Sequence, residues 1–390
     1  MSALSSVAAF RGGIVTPSFS NLERRLRRFD PDVRPAVYAI ATQHRYLADL
    51  AKSYPGLLFS LAVPASWSSP ARNARTGQAA AAITRGESID RAASLIGLPR
   101  WLRALPPEAY RRPLGTLPTS DFFRVRIANL LPKRRSQAAA WLETVMEAAE
   151  WGDETYALWT ARVETRDKNP FLVSRRYRRD RRNLALWAWY SQRPATVAGV
   201  WCERRWQPTM GGVGAIGEAR AWKDRVDLEL ELAGLEIADL WLEPGEALGY
   251  HFVPLATVSA IDDEARRMDH CIRTYGDCVA LGQSRLWSIE QDGRPVASLE
   301  LATGRSRAPI VKQLRGIRNA AVDDDVWVAV HTWIRAQPFR LIDVPDRPLA
   351  YQIPLDRLTW QRVWRPYWLE KRRIPSWLPL SATAGDLYAI

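Results

Sequence analysis

The residues of this chain best suited to chemistry lie between Met268 and Asn319. The candidate catalytic set consists of His270, Tyr275, Gln313, Arg315 and Asn319. A histidine can exchange a proton near neutral pH, and an arginine can hold developing phosphate charge. We therefore expect His270 to act as a general acid or base while the other side chains hold a substrate. The alternative is structural, with His270 as a hydrogen-bonding residue and the strand residues on a solvated outer face.

The segment around His270 also carries sulfur. Helical spacing predicts one helix from Ile261 to Leu281, and its residues Met268, Cys271, Tyr275 and Cys278 would share a face. Cysteine and methionine on such a face pack as small hydrophobic side chains. Adjacent His270 and Cys271 diverge on a helix, and the spacing matches no common ligand pattern. We therefore predict no metal site.

This stretch resembles a known family, the PcfJ-like proteins, named for a protein of conjugative plasmids. The resemblance covers about residues 225–340. It rests on Met268, His270-Cys271, Tyr275, Gly282, the LWSIE and PVASLEL strands, Gln313, Gly316 and Asn319. It implies a plasmid or other mobile-element context, and it defines a module better than an activity.

A basic run precedes this module. Six of the eight residues from 175 to 182 are arginine: Arg175, Arg176, Arg178, Arg179, Arg181 and Arg182. Trp187, Trp189 and Tyr190 follow, and a second cluster consists of Lys133, Arg134 and Arg135. Arginine beside aromatic residues is typical of surfaces that hold phosphates and stack bases. Alternatively, the run is a solvated helix face paired with the acidic segment 227–264.

The overall composition also favours a polyanionic partner. The 390 residues include 55 Lys and Arg against 42 Asp and Glu, which gives a net charge of +13, and there are 18 tryptophans. The three cysteines provide no disulfide framework and are consistent with a reducing cytosol. No apolar run approaches the roughly twenty residues of a membrane span, and we identify no signal peptide. The sequence thus predicts a cytoplasmic protein without membrane association.

The element pattern predicts an α+β protein, with a helical N-terminal region followed by an α+β module that has a small antiparallel sheet. We expect a helical, Arg/Trp-rich region at 1–208, the module at 218–344 and a Pro/Trp-rich tail of extended segments at 345–390. Residues 209–217, TMGGVGAIG, predict a flexible junction rather than a dinucleotide site, and VDLELEL predicts a strand. Asp292-Gly293 predicts a hairpin turn within a three-stranded meander.

The leading interpretation is a nucleic-acid-binding protein of a bacterial plasmid or phage, whose arginines hold phosphates and whose aromatics stack bases. One alternative is an enzyme acting on nucleic acid or nucleotides with His270 as general acid or base. Another is a scaffold that binds protein partners or a second copy of itself. We expect no cofactor, and the sequence does not distinguish DNA from RNA.

Overall fold

The chain is described by a computed structural model that covers residues 19–63, 70–115, 117–166, 178–232, 236–304, 307–338, 341–343 and 357–373. It divides into two compact units, Met1–Arg178 and Arg179–Ile390. The expected α+β class is confirmed, because a helical N-terminal part precedes a small antiparallel sheet.

The described part of the first unit consists of helices joined by short 3-10 turns. The helices are α1 (Phe19–Leu26), α2 (Arg34–Ala41), α3 (Arg45–Ser53), α4 (Pro55–Ala62), α5 (Pro70–Thr84), α6 (Ile89–Leu95), α7 (Asp121–Ile127), α8 (Ala138–Trp151) and α9 (Glu154–Arg166). Large aromatic side chains fill the core. The buried Tyr54 hydroxyl donates to the Pro99 carbonyl at 2.7 Å, and Trp101 meets Trp141 edge-on. Buried phenols and indoles usually need such partners.

The second unit begins with three helices, α10 (Arg178–Ser191), α11 (Val197–Val200) and α12 (Gly212–Leu232). Its strands are β1 (Gly245–Ala247), β2 (Tyr250–Pro254), β3 (Ser284–Gln291), β4 (Arg294–Thr303) and β5 (Pro309–Arg315). The helices α13 (Val258–Met268) and α14 (Gly276–Ala280) lie between β2 and β3 in the chain. After the sheet follow α15 (Asp324–Ala336), α16 (Arg357–Thr359) and α17 (Arg365–Lys371).

The five strands form one antiparallel sheet in sequence order. The β3–β4 turn has positive φ at Asp292 and Gly293, so the expected hairpin is confirmed. One sheet face packs on α15, where Trp287 and Phe252 contact Trp333. The other face packs on α12, α13 and α14 through residues such as Leu286. The sheet thus separates two apolar clusters, and the candidate site lies on the second side.

Two predictions about the entry to this unit are wrong. The segment 209–217 is not a flexible junction, because residues from Gly212 onward belong to the 21-residue helix α12. VDLELEL lies in the same helix and is not a strand. Its Leu228 and Leu232 are both buried at a spacing of four residues, and leucine and glutamate favour helix. An alternating pattern can therefore still be helical when only some of its apolar residues are buried.

Two further segments differ from expectation. The helix expected from Ile261 to Leu281 ends at Met268, where Asp269 adopts a left-handed conformation, and a 3-10 turn, Ile272–Tyr275, follows. Met268 is buried as predicted, but Cys271 is exposed, so the sulfur residues do not share one buried face. Residues 357–371 of the tail are helical rather than extended. The buried Trp360, Trp364 and Tyr367 recur at helical spacing.

The aromatic residues after the arginine run are also placed differently. Trp187, Trp189 and Tyr190 are buried in α10, where Tyr190 stacks on Trp222 of α12 and on Tyr367 of α17. The Tyr190 hydroxyl donates to the Val363 carbonyl at 2.7 Å. These side chains therefore hold helices together and are not available to stack bases.

A half-buried carboxyl on α12 gives a stability prediction. Burial, and then the charges of Asp227 and Asp277, raise the pKa of Glu231 to about 7. A carboxyl whose pKa is raised by folding stabilises the folded state at pH values below its unfolded-state pKa. This stability is lost as the pH rises through the folded-state pKa, about 7. We expect Glu231→Gln to raise the free energy of unfolding at pH 8 by about 1–2 kcal/mol after screening by solvent, with a smaller effect at pH 5.

Urea unfolding of both proteins at the two pH values measures this difference. The exposed Glu246 on β1 provides the control variant Glu246→Gln, which we expect to leave the free energy of unfolding unchanged at both pH values. An equal effect of Glu231→Gln at pH 5 and pH 8 would contradict the assignment.

Candidate active site

All five residues of the candidate set line one cleft on the α13 side of the sheet. The cleft holds about 300 Å³ of open space. Its lining consists of His270, Cys271, Ile272, Tyr275, Leu286, Ser298, Leu299, Glu300, Gln313, Arg315 and Asn319. The set spans two separate chain segments, 270–275 and 313–319, so only the tertiary fold brings it together. Clefts with an apolar wall and a few converging polar groups are typical of small-ligand sites.

Strand register explains how the polar residues of β4 and β5 meet. Ser298 lies opposite Arg315, and Glu300 lies opposite Gln313. Residues two apart on a strand point to the same face, and directly opposed residues point to the same face. The four polar side chains of these two pairs therefore lie together on the sheet face towards His270.

His270 lies two residues beyond the end of α13 and is tied to the sheet. Its Nε2 is 2.8 Å from the Ser298 hydroxyl oxygen. The Ser298 hydroxyl in turn donates to Glu264 Oε1, and Ser288 donates to Glu264 Oε2 at 2.9 Å. Glu264 lies on α13 and is 1% exposed. The resulting chain from carboxyl to hydroxyl to imidazole fixes the ring of His270 in the cleft wall.

This chain also determines which ring nitrogen is basic. When Glu264 is ionised, the single hydroxyl proton of Ser298 goes to Glu264, so His270 Nε2 donates to Ser298 and carries the proton. His270 Nδ1 is buried, and it has no hydrogen-bond partner among the described residues. Burial lowers the pKa of His270 below its ordinary value, although its own backbone and Asp269 oppose the shift. The imidazole is therefore neutral near pH 7, with Nδ1 able to accept a proton.

The carboxyl behind Ser298 can respond to that proton. Burial raises the pKa of Glu264, while hydrogen bonds from Ser298 and Ser288 limit the rise. A negative Glu264 stabilises a protonated His270 through the intervening hydroxyl, much as a buried carboxylate supports histidine in other acid–base sites. Glu264 and Ser298 therefore position His270 and tune its basicity.

Tyr275 and Gln313 form a second polar pair in the cleft. The Tyr275 hydroxyl donates to Gln313 Oε1 at 2.7 Å. Burial, followed by the nearby charge of Glu300, raises the pKa of Tyr275. The phenol consequently keeps its proton at neutral pH and can serve as a hydrogen-bond or proton donor.

Glu300 is a buried carboxylate in the same wall. It is 4% exposed, and its Oε1 accepts hydrogen bonds from the Ser284 hydroxyl and from Lys312 Nζ, both at 2.8 Å. Its Oε2 is buried and has no partner within the described residues. Buried polar atoms are almost always paired, so an unpaired oxygen beside a cleft calls for an explanation.

Arg315 and Asn319 are exposed members of the lining, as is Cys271. Arg315 ends β5, and Asn319 lies in the following 3-10 turn, where it and Arg318 have positive φ. Arg318 forms an ion pair with Asp269 at 2.9 Å, which links this turn to the segment that carries His270. An exposed guanidinium and amide at the cleft suit an anionic group.

A buried ion network supports the helical side of the cleft. Asp262 of α13 accepts from Arg273 at 2.7 Å and also pairs with Arg225 of α12 and with Arg266. Burial works against ionisation, but hydrogen bonds from Arg225 and Arg273 lower the pKa of Asp262. Because Arg273 lies in the turn that carries Tyr275, the network ties that turn to α13 and α12.

The expected nucleic-acid-binding residues are only partly described. Arg175 and Arg176 lie outside the described residues, and Arg178 and Arg179 have a described backbone at the start of α10. Arg181 and Arg182 are half-buried. In the first unit Lys133, Arg134 and Arg135 are all exposed, and none of them forms an ion pair with a described residue. The arginine run thus stays a prediction, while the second cluster is an accessible basic surface.

The first unit also has a groove, and part of its lining is close to this cluster in sequence. Three arginines line it with apolar residues, and it holds about 760 Å³ of open space. The lining consists of Arg100, Trp101, Arg103, Ala104, Arg124, Val125, Ala128 and Leu131. Arg126 lies over the half-exposed ring of Phe122 with its guanidinium carbon 3.7 Å from the ring centre. An arginine and an exposed aromatic ring therefore also occur together on α7, the helix that supplies Arg124 and Val125 to the groove.

Sequence reasoning missed the residues that define the chemistry of His270. Glu264, Ser298 and Glu300 are polar residues at buried positions, where they complete hydrogen bonds across the site. The only sequence signal was polar Ser298 and Glu300 alternating with apolar residues in a strand that reads as mainly buried. Within the described residues, no three His, Cys, Asp or Glu side chains converge as a metal site.

Comparison of the chain with known protein families, with curated proteins and with solved structures found no match. In the described part of the chain, no helix is long and apolar enough to cross a membrane.

Proposed function

We propose that the second unit is an enzyme that cleaves phosphodiester bonds in RNA, with His270 as the general base. The observation that carries the proposal is the convergence of His270, Tyr275, Gln313, Arg315 and Asn319 on one cleft. Attack by a ribose 2′-hydroxyl is helped by a base, a proton donor and a cation. The cleft offers a neutral imidazole, a protonated phenol and an exposed guanidinium for these roles. Because the 2′-hydroxyl of RNA is itself the nucleophile, the protein has to supply a base and a group that stabilises charge, but no nucleophilic residue.

The proposed reaction proceeds by transfer within the RNA strand. His270 takes the 2′-hydroxyl proton, the 2′-oxygen forms a bond to phosphorus, and the bond to the 5′-oxygen breaks. Tyr275 turns its hydroxyl proton from Gln313 Oε1 to the departing 5′-oxygen and regains one from solvent, while His270 releases its proton to solvent. Arg315 stabilises the charge on the phosphoryl oxygens. The products are a 2′,3′-cyclic phosphate and a 5′-hydroxyl.

A second candidate, nucleic-acid binding without catalysis, is favoured by the basic surface of the first unit. The exposed cluster Lys133, Arg134 and Arg135 and the arginine-lined groove fit a phosphate backbone. The resemblance to PcfJ-like proteins would add a mobile-element setting to either candidate. The net charge of +13 supports a polyanionic substrate or partner in both.

The pH dependence of RNA cleavage tests the proposed base. Because Nδ1 must be unprotonated, we expect the rate to rise with pH through a pKa below 6.5 and to level off near neutrality. The measurement is the initial rate of cleavage of a mixed-sequence single strand between pH 4.5 and 8. A rate that falls across this range would contradict a basic His270, and a preparation of His270→Ala purified identically controls for contaminating ribonuclease.

Salt dependence tests the second candidate. We expect the triple substitution of Lys133, Arg134 and Arg135 by alanine to weaken RNA binding and to reduce the slope of log K against log salt by about 2. This follows from a slope of about −0.7 per neutralised phosphate on single strands. Binding is measured by fluorescence anisotropy at several salt concentrations.

The matched control removes the same charge from elsewhere in the first unit. Arg27, Arg85 and Arg91 each pair with a glutamate, so their triple alanine variant has the same change in cation number. Equal losses in both variants would show that total charge, and not this surface, determines binding.

A further inference from the structure

We propose that the cleft selects keto nucleobases, guanine or uracil, through Glu300 and Gln313. These bases present a ring N–H beside a carbonyl oxygen. The inference rests on the proposed function, since it assumes that a nucleotide occupies the cleft, and it adds the base class that the site recognises.

Glu300 provides the acceptor for the ring N–H. Its Oε1 is held by Ser284 and Lys312, so the carboxylate cannot turn freely. The second oxygen, Oε2, has no hydrogen-bond partner among the described residues, although the side chain is 4% exposed and lines the cleft. A buried charged acceptor left unpaired is costly, and a ligand donor would remove that cost.

Gln313 provides the donor for the carbonyl. Its Oε1 already accepts from the Tyr275 hydroxyl at 2.7 Å, which leaves the amide NH₂ as the group available to a ligand. Gln313 lies directly opposite Glu300 across the β4–β5 pair. An acceptor and a donor are therefore fixed side by side on one sheet face, both within the cleft lining.

The polarity of this pair distinguishes the bases. Guanine offers N1–H beside O6, and uracil offers N3–H beside a carbonyl, so each meets an acceptor and a donor in the right order. Adenine and cytosine carry a bare ring nitrogen at the equivalent position. Its lone pair would face Glu300 Oε2 and leave that buried oxygen without a donor, which is unfavourable.

Binding of nucleoside monophosphates to the full chain tests this selectivity without requiring turnover. We expect the 5′-monophosphates of guanosine and uridine to bind about tenfold or more tightly than those of adenosine and cytidine. Methylation at guanine N1 or uracil N3 removes the donor, and we expect it to abolish the preference. Equal binding of all four, or undiminished binding of the methylated forms, would overturn the inference.

The variant Glu300→Gln tests the inference because it is expected to reverse the base preference. Ser284 and Lys312 both donate to Oε1, so they hold the amide oxygen there and place the NH₂ group at the Oε2 position. We expect the preference to shift towards adenosine and cytidine, whose ring nitrogens accept. Glu290→Gln, on β3 outside the cleft lining, is the control and should keep the preference of the wild type.

The outcomes separate this inference from the proposed function. Cleavage of RNA with no base preference in the binding assay would overturn the base selectivity alone. Keto-selective binding without cleavage would support the recognition by Glu300 and Gln313 and contradict the catalytic proposal.

Discussion

Replacement of His270 by alanine is expected to lower the rate of RNA cleavage by about 10²–10⁴-fold, the usual contribution of a general base. The substitution removes the Nδ1 acceptor and leaves the Ser298 hydroxyl without its imidazole partner. His270 is only half-buried, so we expect the melting temperature to change little. Initial rates under substrate excess and a thermal melt measure the two effects.

The chain provides a matched control in His251. This residue is exposed on β2, and its nearest charged partner is Glu246 at 3.6 Å. We expect His251→Ala to retain the wild-type rate. A large fall in the melting temperature of His270→Ala would show that the residue is structural, and an unchanged rate would remove His270 from the mechanism.

The largest stability effect is expected at Asp262. Asp262→Ala removes the carboxylate that pairs with both Arg273 and Arg225, which keep their pairs with Glu203 and Glu229, so we expect a loss of about 1–3 kcal/mol. Because the network ties the Tyr275 turn to α13, cleft activity should fall together with the unfolding midpoint. Urea unfolding monitored by tryptophan fluorescence measures the stability change.

The neighbouring Asp263 provides the control for this substitution. Its side chain is about half-exposed and pairs with Arg266 alone among the described residues. We expect Asp263→Ala to change the free energy of unfolding by less than about 0.5 kcal/mol. Equal effects of the two substitutions would contradict the structural role assigned to the buried network.

The members of the cleft could be named from sequence, but their chemistry could not. His270, Tyr275, Gln313, Arg315 and Asn319 are polar residues of types that bind or move protons, which marks them as candidates. The direction of the Ser298 hydrogen bond depends on Glu264, a residue that reads as an ordinary helix carboxylate. Such pairings depend on strand register and helix packing, which no local pattern specifies.

The fold was predictable where local signals agreed. The Asp292-Gly293 hairpin follows from turn chemistry. The strands β1 and β2 were missed because they are short, and β2 ends at Pro254. VDLELEL was assigned to the wrong class because tertiary burial of Leu228 and Leu232 overrides the appearance of alternation.

The most direct test of the central proposal compares ordinary RNA with a fully 2′-O-methylated strand of the same sequence. Methylation removes the proton that His270 would take and blocks the attacking oxygen, while the phosphates remain available for binding. We predict that the wild-type protein binds both strands, cleaves only the unmodified one and leaves 2′,3′-cyclic phosphate ends. Cleavage of the methylated strand at a similar rate, or binding of unmodified RNA with no cleavage, would contradict the account.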